Sequence, residues 1–211
     1  MSQNIWFQNS KNIYCIGRNY AEHARELNNP VPKNPLIFLK SPASLRSLAP
    51  IQMAYADEEY DFESEIVLVI KDYLYLNSRS KFSNLAGICL GLDLTRRKIQ
   101  SELKSKGHPW TLAKNFKGSA ILGSIAPIDK LTVGTNIEFS FYLNGKLKQH
   151  GQSQDMIASP LKILDSILES VELFPNDLVF TGTPKGVGKL KVGDELRFVS
   201  PTLDIDEHGY L

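Results

Sequence analysis

Acidic side chains alternate along one short stretch of the sequence, residues 61–70, which read DFESEIVLVI. In an extended strand, Asp61, Glu63 and Glu65 project to the same side, because successive side chains point to opposite faces. Three like charges on one face repel each other, so solvent, basic partners or a bound cation must offset them. The apolar run that follows predicts a strand buried on both faces, where unpaired carboxylates are costly.

A further carboxylate, Asp93, ends the apolar run GICLGLD just before a predicted helix. Together with Glu63 and Glu65 it would provide three oxygen ligands, with no cysteine and no histidine at ligand spacing. Such a set suits a hard divalent cation, Mg²⁺ or Mn²⁺, and Ca²⁺ less well. The competing interpretation of the two glutamates is a solvated edge, since most glutamates are exposed.

His23 and Glu26 lie three residues apart on a helix predicted over residues 19–28. At this spacing a carboxylate can orient an imidazole and stabilise its positive charge, so that the pair could deprotonate a water molecule. A polar, solvent-exposed helix face is the alternative, and the spacing alone favours it.

Arg97 and Gln100 follow Asp93 by four and seven residues. A helix over residues 95–106 with Thr95 as its N-cap would place both side chains on one face, above the same strand end. Arginine favours carboxylates through two parallel hydrogen bonds, so the pair could bind a substrate. A solvated basic helix face is the alternative.

Two further features could contribute to a site. Lys114, in PWTLAKNF, could stabilise an oxyanion if partly buried, although a surface lysine is the commoner case. The stretch TGTPKGVGKL at residues 181–190 lacks the spacing of a phosphate-binding loop or a dinucleotide motif. Its backbone N–H groups and the Thr183 hydroxyl could hold a small anion, and a purely structural turn is equally consistent with the composition.

The elements that must position these residues are mostly strands. Seven apolar or alternating runs predict them: NIYCIG, PLIFLK, EIVLVI, GICLGLD, NIEFSFYLNG, DLVFTG and DELRFV. The Asn144-Gly145 pair favours a tight hairpin. A third helix is predicted in SPLKILDSILESVEL, with Ser159 as N-cap and Pro160 at its first position. Its apolar stripe comprises Leu161, Leu164, Ile167, Leu168 and Val171.

Composition is ordinary for a globular protein of 211 residues, with 42% hydrophobic and 22% charged residues and a net charge of +1. Nothing in it indicates binding to nucleic acid or to an anionic membrane. The N-terminal residues do not form a targeting signal, so we expect a cytoplasmic protein. Cys15 and Cys89 are predicted to be buried, reduced thiols, and residues 41–56 a flexible surface loop.

Eight stretches follow one another along the chain and form a recognisable set: CIGRNYAEHAREL, PLIFLK, DFESEIVLVI, GICLGLDLTRRKIQ, KGHPWTLAKNF, LNGKLKQ, DMI and FTGTPKGVG. As a set they resemble the fumarylacetoacetate hydrolase family, most closely its short acylpyruvase and oxaloacetate decarboxylase type. The resemblance implies a single catalytic domain over residues 1–211. Its fold would be α+β and predominantly β, a mixed β-sandwich roll with a few short helices, and it would form a homodimer.

The resemblance also implies a role for individual residues. Glu63, Glu65 and Asp93 match the metal ligands, which would hold Mg²⁺ or Mn²⁺. His23 and Glu26 match a catalytic dyad in a mobile lid at residues 19–28, and Lys114 matches an active-site lysine. Positions that line or close the pocket in relatives match Arg18, Lys40, Arg97, Gln100 and Thr183.

The implied activity is metal-dependent cleavage of a carbon-carbon bond in 3-acylpyruvates, which are small keto acids. Oxaloacetate decarboxylation and isomerisation or tautomerisation of such dioxo acids fit the same metal-enolate chemistry. A non-catalytic scaffold that binds metabolites is an alternative of a different class. Substrate choice is left open by three departures from the family pattern, at the pair Asp61 and Phe62, at Lys98 and at His150.

Overall fold

The computed structural model describes residues 9–26, 32–48 and 59–211. Within these ranges the strands are β1 (Ile13–Gly17), β2 (Leu36–Lys40), β3 (Leu45–Ser47), β4 (Tyr60–Phe62), β5 (Ser64–Ile70), β6 (Leu85–Asp93), β7 (Ala120–Leu122), β8 (Ala126–Pro127), β9 (Glu138–Leu143), β10 (Lys146–Gln152), β11 (Leu178–Phe180), β12 (Gly188–Leu190), β13 (Glu195–Ser200) and β14 (Ile205–Tyr210). The α-helices are α1 (Ala21–Glu26), α2 (Arg97–Ser105), α3 (Thr111–Lys114) and α4 (Pro160–Leu168).

The strands form one large mixed sheet and two smaller sheets. The large sheet has eight strands, with the order β2-β1-β11-β5-β6-β7-β3 and with β8 beside β6. The pairs β1 with β11 and β3 with β7 are parallel, and the other pairs are antiparallel. The second sheet has the order β10-β9-β13-β14, and β4 pairs with β12. The predicted mixed, predominantly β fold is confirmed.

Strand β5 shows why the apolar run EIVLVI lies at the centre of the fold. Alternate side chains point to opposite faces, so Ile66 and Leu68 enter the core between the two larger sheets, while Val67 and Val69 pack into a second cluster on the other face. Every residue of β5 is buried, as the sequence predicted. The central position of β5, between β11 and β6, keeps the residues at its ends in a fixed place.

The hairpin and all three predicted helices are present, the helices with shorter bounds. The Asn144-Gly145 turn has positive φ at both positions and joins antiparallel β9 and β10. Helix α1 covers part of the predicted 19–28, of which residues 27 and 28 lie outside the described ranges. Helix α4 begins after Ser159 at the N-cap position. Val171 lies beyond its end and is exposed, so its inclusion in the apolar stripe was wrong.

The prediction that Thr95 caps the second helix is wrong. Helix α2 begins at Arg97, with Arg96 at the N-cap position and no side-chain cap hydrogen bond. The backbone of Thr95 instead pairs with that of Asp61, through N···O distances of 2.9 and 3.0 Å. Tertiary pairing with the acidic segment therefore displaces the local capping preference of threonine.

The predicted surface loop over residues 41–56 is also wrong where the structure describes it. Within residues 41–48, strand β3 adds to the edge of the large sheet through its parallel pairing with β7, and Leu45 and Leu48 are buried. The remaining residues, 49–56, lie outside the described ranges.

Helix α3, which carries Lys114, was not predicted as an element. A run of only four residues has too little periodicity to be recognised as a helix.

Cys15 and Cys89 are buried and form no disulfide, as predicted. Across the described ranges, none of the helices combines the length and the apolar character needed to cross a bilayer.

Candidate active site

The acidic triad, Glu63, Glu65 and Asp93, converges where β5 and β6 pair. Glu63 immediately precedes β5, Glu65 lies in β5, and Asp93 is the last residue of β6. The Asp93 backbone N–H donates to the Glu63 carbonyl at 2.9 Å, which aligns the two segments. One carboxylate oxygen from each residue lies within 4.8 Å of the others, and all three residues are buried. A solvated edge, the alternative interpretation of the glutamates, is therefore wrong.

Two buried lysines offset part of this charge. Lys114 Nζ donates to Glu63 Oε2 and to Asp93 Oδ2, each at 2.7 Å. Lys40 Nζ forms an ion pair of 2.8 Å with Asp93 Oδ1 and also donates to the backbone carbonyl of Lys114. Burial opposes the charge on Lys114, but Asp93 and Glu63 outweigh it and raise the pKa of its ammonium group. Lys114 is therefore a buried, protonated cation and not a surface lysine.

Arg97 directs all of its guanidinium nitrogens into the protein. Its Nε donates to Asp61 Oδ2 at 2.8 Å, its Nη2 to Glu63 Oε1 at 2.5 Å and its Nη1 to Gln100 Oε1 at 2.7 Å. The predicted proximity of Arg97 and Gln100 is confirmed. Because these donors are already engaged, the geometry favours a role for Arg97 in positioning Glu63 over direct recognition of a substrate carboxylate.

Glu65 differs from the other two carboxylates because no lysine or arginine of the described ranges forms an ion pair with it. Its Oε2 accepts a hydrogen bond of 2.7 Å from the backbone N–H of Gly182. Burial and then the negative charges of Asp93 and Glu63 raise the pKa of Glu65 well above its usual value. For Glu63, burial acts in the same direction, but Lys114 and Arg97 outweigh it and lower its pKa. Within the described ranges, Glu65 is thus the one carboxylate of the triad that lacks a basic partner in an ion pair.

The two residues of the predicted dyad are in contact. His23 Nδ1 lies 3.1 Å from Glu26 Oε2, so with the carboxylate ionised Nδ1–H donates and Nε2 is the nitrogen left to exchange a proton. The His23 side chain is only 5% exposed, against 35% for Glu26. The alternative interpretation, a solvent-exposed histidine on a polar helix face, is therefore wrong.

The glycine-rich turn after β11 holds anions, and these are carboxylates of the protein itself. Gly186 N–H donates to both carboxylate oxygens of Glu26, at 3.1 and 3.3 Å, and Gly182 N–H donates to Glu65. Both glycines have positive φ, at 97° and 99°, a conformation that side chains rarely allow. The turn therefore connects the dyad to the acidic triad.

Thr183 lies on the same turn, and its hydroxyl is bonded within the protein. Its Oγ1 donates to the Ser64 carbonyl at 2.9 Å and accepts from Gln149 Nε2 at 2.8 Å. The Gln149 side chain also accepts from Ser64 N–H at 2.8 Å. These bonds fix the start of β5, next to the acidic triad, so the geometry indicates a supporting role for the hydroxyl.

A cavity of about 170 Å³ brings most of the expected site residues together. Its walls contain the acidic triad and six further residues of the predicted set, namely Arg18, His23, Arg97, Gln100, Lys114 and Thr183. Glu26 lies behind His23, and Lys40 lies beneath Asp93 and lines a neighbouring groove instead. The cavity is thus an acidic site with a histidine and a protonated lysine beside it.

Sequence reasoning gave no role to three residues that shape this site: Lys104, Trp110 and Gln149. The first two line the cavity, but an exposed helical lysine and a tryptophan near a turn carry no distinctive pattern. Gln149 is buried because the pairing register shifts between Leu147 and Gln149, which disrupts the alternation of β10. Only its place in LNGKLKQ, one of the matched stretches, could have drawn attention to it.

Comparison with known proteins agrees with this geometry. A family model described as fumarylacetoacetate (FAA) hydrolase C-terminal matches residues 12–204. The chain is similar to the mitochondrial oxaloacetate tautomerase FAHD1 of Bos taurus, at 36% identity over 89% of this chain and 86% of the relative. It is also similar to a mitochondrial oxaloacetate decarboxylase of Dictyostelium discoideum, at 33% identity over 96% of this chain and 94% of the relative.

Solved structures show the same similarity. The crystal structure of fumarylpyruvate hydrolase from Pseudomonas aeruginosa, in complex with Mn²⁺ and pyruvate, matches with a TM-score of 0.86 and 29% identity. The match covers 95% of this chain and 89% of that chain. The relatives and this neighbour are thus enzymes named for small keto acids.

Proposed function

The chain belongs to the fumarylacetoacetate hydrolase family, and from this premise we propose that it is a divalent-metal-dependent tautomerase that interconverts the keto and enol forms of oxaloacetate. This was an alternative in the sequence analysis, where hydrolysis of 3-acylpyruvates stood first. The names of the relatives that it matches support the alternative better. The observation that carries the proposal is the cavity in which the acidic triad, His23 and Lys114 meet.

The acidic triad fits a hard divalent cation. Among the residues that the structure describes, four carboxylates, those of the triad and Asp61, form ion pairs with three cations, Lys40, Arg97 and Lys114. A doubly charged ion held by Glu63, Glu65 and Asp93 would supply the positive charge that is lacking beside Glu65. Oxygen donors suit Mg²⁺ or Mn²⁺, and Ca²⁺ less well. When bound, such an ion stabilises the negative charge that develops on the oxygen of a 2-oxo acid.

His23 is the proposed base of the reaction. In the keto form of oxaloacetate, Nε2 of the neutral imidazole takes a proton from C3. The electron pair of that C–H bond becomes the C2–C3 double bond, and the carbonyl pair moves onto the C2 oxygen. The imidazolium then returns the proton to this oxygen, which completes the enol. Glu26 holds the ring through Nδ1 and stabilises its transient positive charge.

Lys114 and Gln100 would serve the same reaction without exchanging protons. The raised pKa of Lys114 keeps its ammonium group protonated, so it acts as a fixed positive charge near the developing enolate. Gln100 is bonded to Arg97 through its oxygen, and both side chains line the cavity, where they would restrict how the substrate lies.

The test measures the disappearance of enol-oxaloacetate by its ultraviolet absorbance, with Mg²⁺ or Mn²⁺ and with a chelator. We expect metal-dependent tautomerisation that falls by about a hundredfold or more in His23→Ala, since general acid-base catalysis contributes that much. Glu26→Gln should fall less, because the imidazole is retained and only its orientation is weakened. Full activity of His23→Ala would refute the assignment of the base.

Hydrolysis of 3-acylpyruvates is the second candidate. The same dyad could deprotonate a water molecule, and the fumarylpyruvate hydrolase of Pseudomonas aeruginosa has a similar fold. Decarboxylation of oxaloacetate needs the metal and Lys114 but no activated water. A panel of oxaloacetate, acetylpyruvate and fumarylpyruvate separates these reactions. In this panel His23→Ala should abolish hydrolysis more severely than decarboxylation.

Four expectations from the sequence stay predictions. The homodimer is checked by the mass in solution, and the single domain over residues 1–211 by one cooperative unfolding transition. Lid closure by residues 19–28 is checked by a change in amide exchange when substrate binds. The cytoplasmic location is checked by imaging the tagged chain in the cells that produce it, because the Bos taurus relative is named a mitochondrial protein.

The non-catalytic scaffold is tested by the same substrate panel. Metal binding without turnover of any of the three substrates would favour it.

A further inference from the structure

The distribution of cations around the cavity is uneven, and it indicates what kind of substrate enters. At the buried end, Lys114 is bonded to Glu63 and Asp93, and Arg97 is bonded to Asp61, Glu63 and Gln100. These two cations therefore neutralise the carboxylates of the protein and have little capacity left for those of a substrate.

Two further cations, Arg18 and Lys104, line the same cavity. Lys104 is an exposed residue of α2, and its Nζ lies 6.0 Å from the centroid of the Trp110 ring, which also lines the cavity. Arg18 is half-buried. Among the described residues, no hydrogen bond or ion pair engages the Arg18 guanidinium.

The backbone around Arg18 is held in an unusual conformation. Arg18 has φ of 59°, in the left-handed region that costs a non-glycine residue about 1 kcal/mol or more. The next residue, Asn19, keeps it there: its side chain donates to the carbonyls of Ala158 and Thr181 at 3.0 and 2.9 Å and accepts from Ala158 N–H at 2.8 Å. The start of the Arg18 side chain is thus fixed at the cavity wall.

Electrostatics agree with this arrangement. Burial and then the positive charges of Arg18 and Arg97 lower the pKa of Lys104, so these cations repel one another across the cavity. An anionic group placed between Arg18 and Lys104 would relieve that repulsion. At the other end, a divalent ion on the acidic triad would attract the 2-oxo acid part of a substrate.

We propose that Arg18 and Lys104 form a cationic subsite for the second carboxylate of a dicarboxylic 2-oxo acid, which makes the enzyme selective for dicarboxylic over monocarboxylic substrates. This inference rests on the proposed function for the placement of the 2-oxo group. Oxaloacetate and acetylpyruvate form a matched pair for the subsite, since they differ only by a carboxylate oxygen in place of a methyl group. Both also exist in keto and enol forms.

The kinetic test compares KM for these two substrates in Lys104→Met, Arg18→Met and the parent protein. Loss of one charge-assisted hydrogen bond should raise KM for oxaloacetate by about tenfold or more and leave KM for acetylpyruvate unchanged. Lys106→Met is the matched control, because Lys106 is an exposed lysine two residues further along the chain that does not line the cavity. It should change neither KM.

A parallel rise of KM for both substrates, or an unchanged KM for oxaloacetate in Lys104→Met, would overturn the proposal. Lys104 is exposed, so we expect Lys104→Met to fold like the parent protein. Arg18 is half-buried, so its substitution needs a check of folding. The thermal unfolding midpoint of Arg18→Met shows whether that variant is also interpretable.

A binding measurement keeps the subsite separate from the proposed reaction. Calorimetry on the Mg²⁺-loaded protein compares malate with 2-hydroxybutyrate, which has a methyl group in place of the second carboxylate. The subsite predicts that malate binds at least about tenfold more tightly, and that Lys104→Met removes this difference. If neither keto acid is turned over, the proposed function fails, yet this preference would still support the subsite. Equal affinities in the parent protein would exclude it.

Discussion

Three carboxylates of the same chemical kind occupy the acidic triad, and their neighbours make them different. Glu63 accepts hydrogen bonds from Arg97 and Lys114. Asp93 accepts one from Lys114 and forms an ion pair with Lys40, whereas Glu65 accepts from a backbone amide. An ionised Glu65 is therefore the least favourable of the three without a cation. The effect of a bound metal should be largest at this residue.

Glu65→Gln tests this difference. Glutamine keeps an oxygen for the Gly182 N–H and removes the uncompensated charge, so the metal-free variant should be at least as stable as the parent protein. Mn²⁺ at about a hundred times its Kd should raise the unfolding midpoint of the parent by roughly 5 to 10 °C, and that of the variant hardly at all. Thermal unfolding with and without Mn²⁺ measures both effects.

Glu102→Gln is the control for this comparison. Glu102 is an exposed residue of α2 outside the cavity, so the Mn²⁺ shift should be retained in full. A Glu65→Gln protein that kept the whole Mn²⁺ shift would show that the acidic triad does not hold the ion.

At the scale of elements, short connections between the strands position the dyad. Helix α1 has only six residues, too few to be stable alone. The helix is held against the turn after β11 by the hydrogen bond from Gly186 N–H to Glu26 and by an exposed ion pair of 3.0 Å between Glu22 and Lys185. The orientation of His23 thus depends on a turn that lies more than 150 residues further along the chain.

Gly186→Ala tests this dependence. Gly186 has φ of 97°, and a Cβ there would overlap the carbonyl oxygen of Lys148, so the turn has to move. We expect the free energy of unfolding to fall by about 1 to 3 kcal/mol and kcat to fall with it, because Glu26 loses its amide donor. Urea unfolding and the tautomerase assay measure the two quantities.

Gly193→Ala provides the matched control. Gly193 has φ of 92°, close to that of Gly186, but a Cβ there has nothing within 4 Å. This variant should lose about 1 kcal/mol from backbone strain and keep its kcat. Equal effects of the two substitutions on kcat would mean that the contact with Glu26 is not needed for catalysis.

Helix α4 is tied to the loop before β6 through Asp165, and this link depends on pH. Asp165 Oδ1 accepts from the Ser80 N–H and hydroxyl at 2.8 Å each, and Arg79 donates to Oδ2 at 3.0 Å. Burial opposes ionisation, but the Ser80 hydrogen bonds and Arg79 lower the pKa of Asp165. The carboxylate therefore stabilises the folded state more than the unfolded state.

Asp165→Asn should lower the free energy of unfolding by about 1 to 2 kcal/mol at neutral pH. Because the folded carboxyl has the lower pKa, its stabilisation is present above the unfolded value of about 3.9 and is lost as the pH falls through the folded value. Urea unfolding from pH 7 to pH 3 should show the parent and the variant converging at the acidic end. A difference that stayed constant with pH would assign the effect to packing.

At the scale of the whole molecule, the core between the sheets supports the site. The Phe141 ring of β9 lies 4.9 Å from that of Phe62 and 5.6 Å from that of Phe198, measured between ring centroids. Phe62 immediately precedes Glu63, so one side chain of the core is adjacent in the chain to one ligand of the acidic triad. Packing between the sheets thus fixes a group that the metal would need.

Phe141→Ala should lower the free energy of unfolding by about 3 to 5 kcal/mol, because it leaves a cavity among fully buried rings. Metal affinity should fall as well, since Phe62 loses its neighbour. Leu147→Ala on β10 is the control, because Leu147 is 54% exposed, and it should change stability by less than about 0.5 kcal/mol. Chemical unfolding and Mn²⁺ titration measure the effects, and unchanged metal affinity in Phe141→Ala would show that the core does not support the site.

The sequence by itself determined the strand-rich, mixed fold, the hairpin at Asn144-Gly145 and the group of carboxylates, because these depend on alternation, turn chemistry and residue type. It also identified His23 and Glu26 as a candidate dyad, since three residues span one helical turn. These properties are local, so short windows of sequence contain them.

Only the tertiary structure decided which charges meet. The backbone of Thr95 pairs with that of Asp61 and does not cap a helix. Within residues 41–48, strand β3 lies at the edge of the large sheet. Arg97 donates hydrogen bonds to Asp61, Glu63 and Gln100. These outcomes depend on partners that lie far away in the sequence, and local propensities do not contain them. The physical reason is that the free energy of a buried charge is set by its neighbours in space.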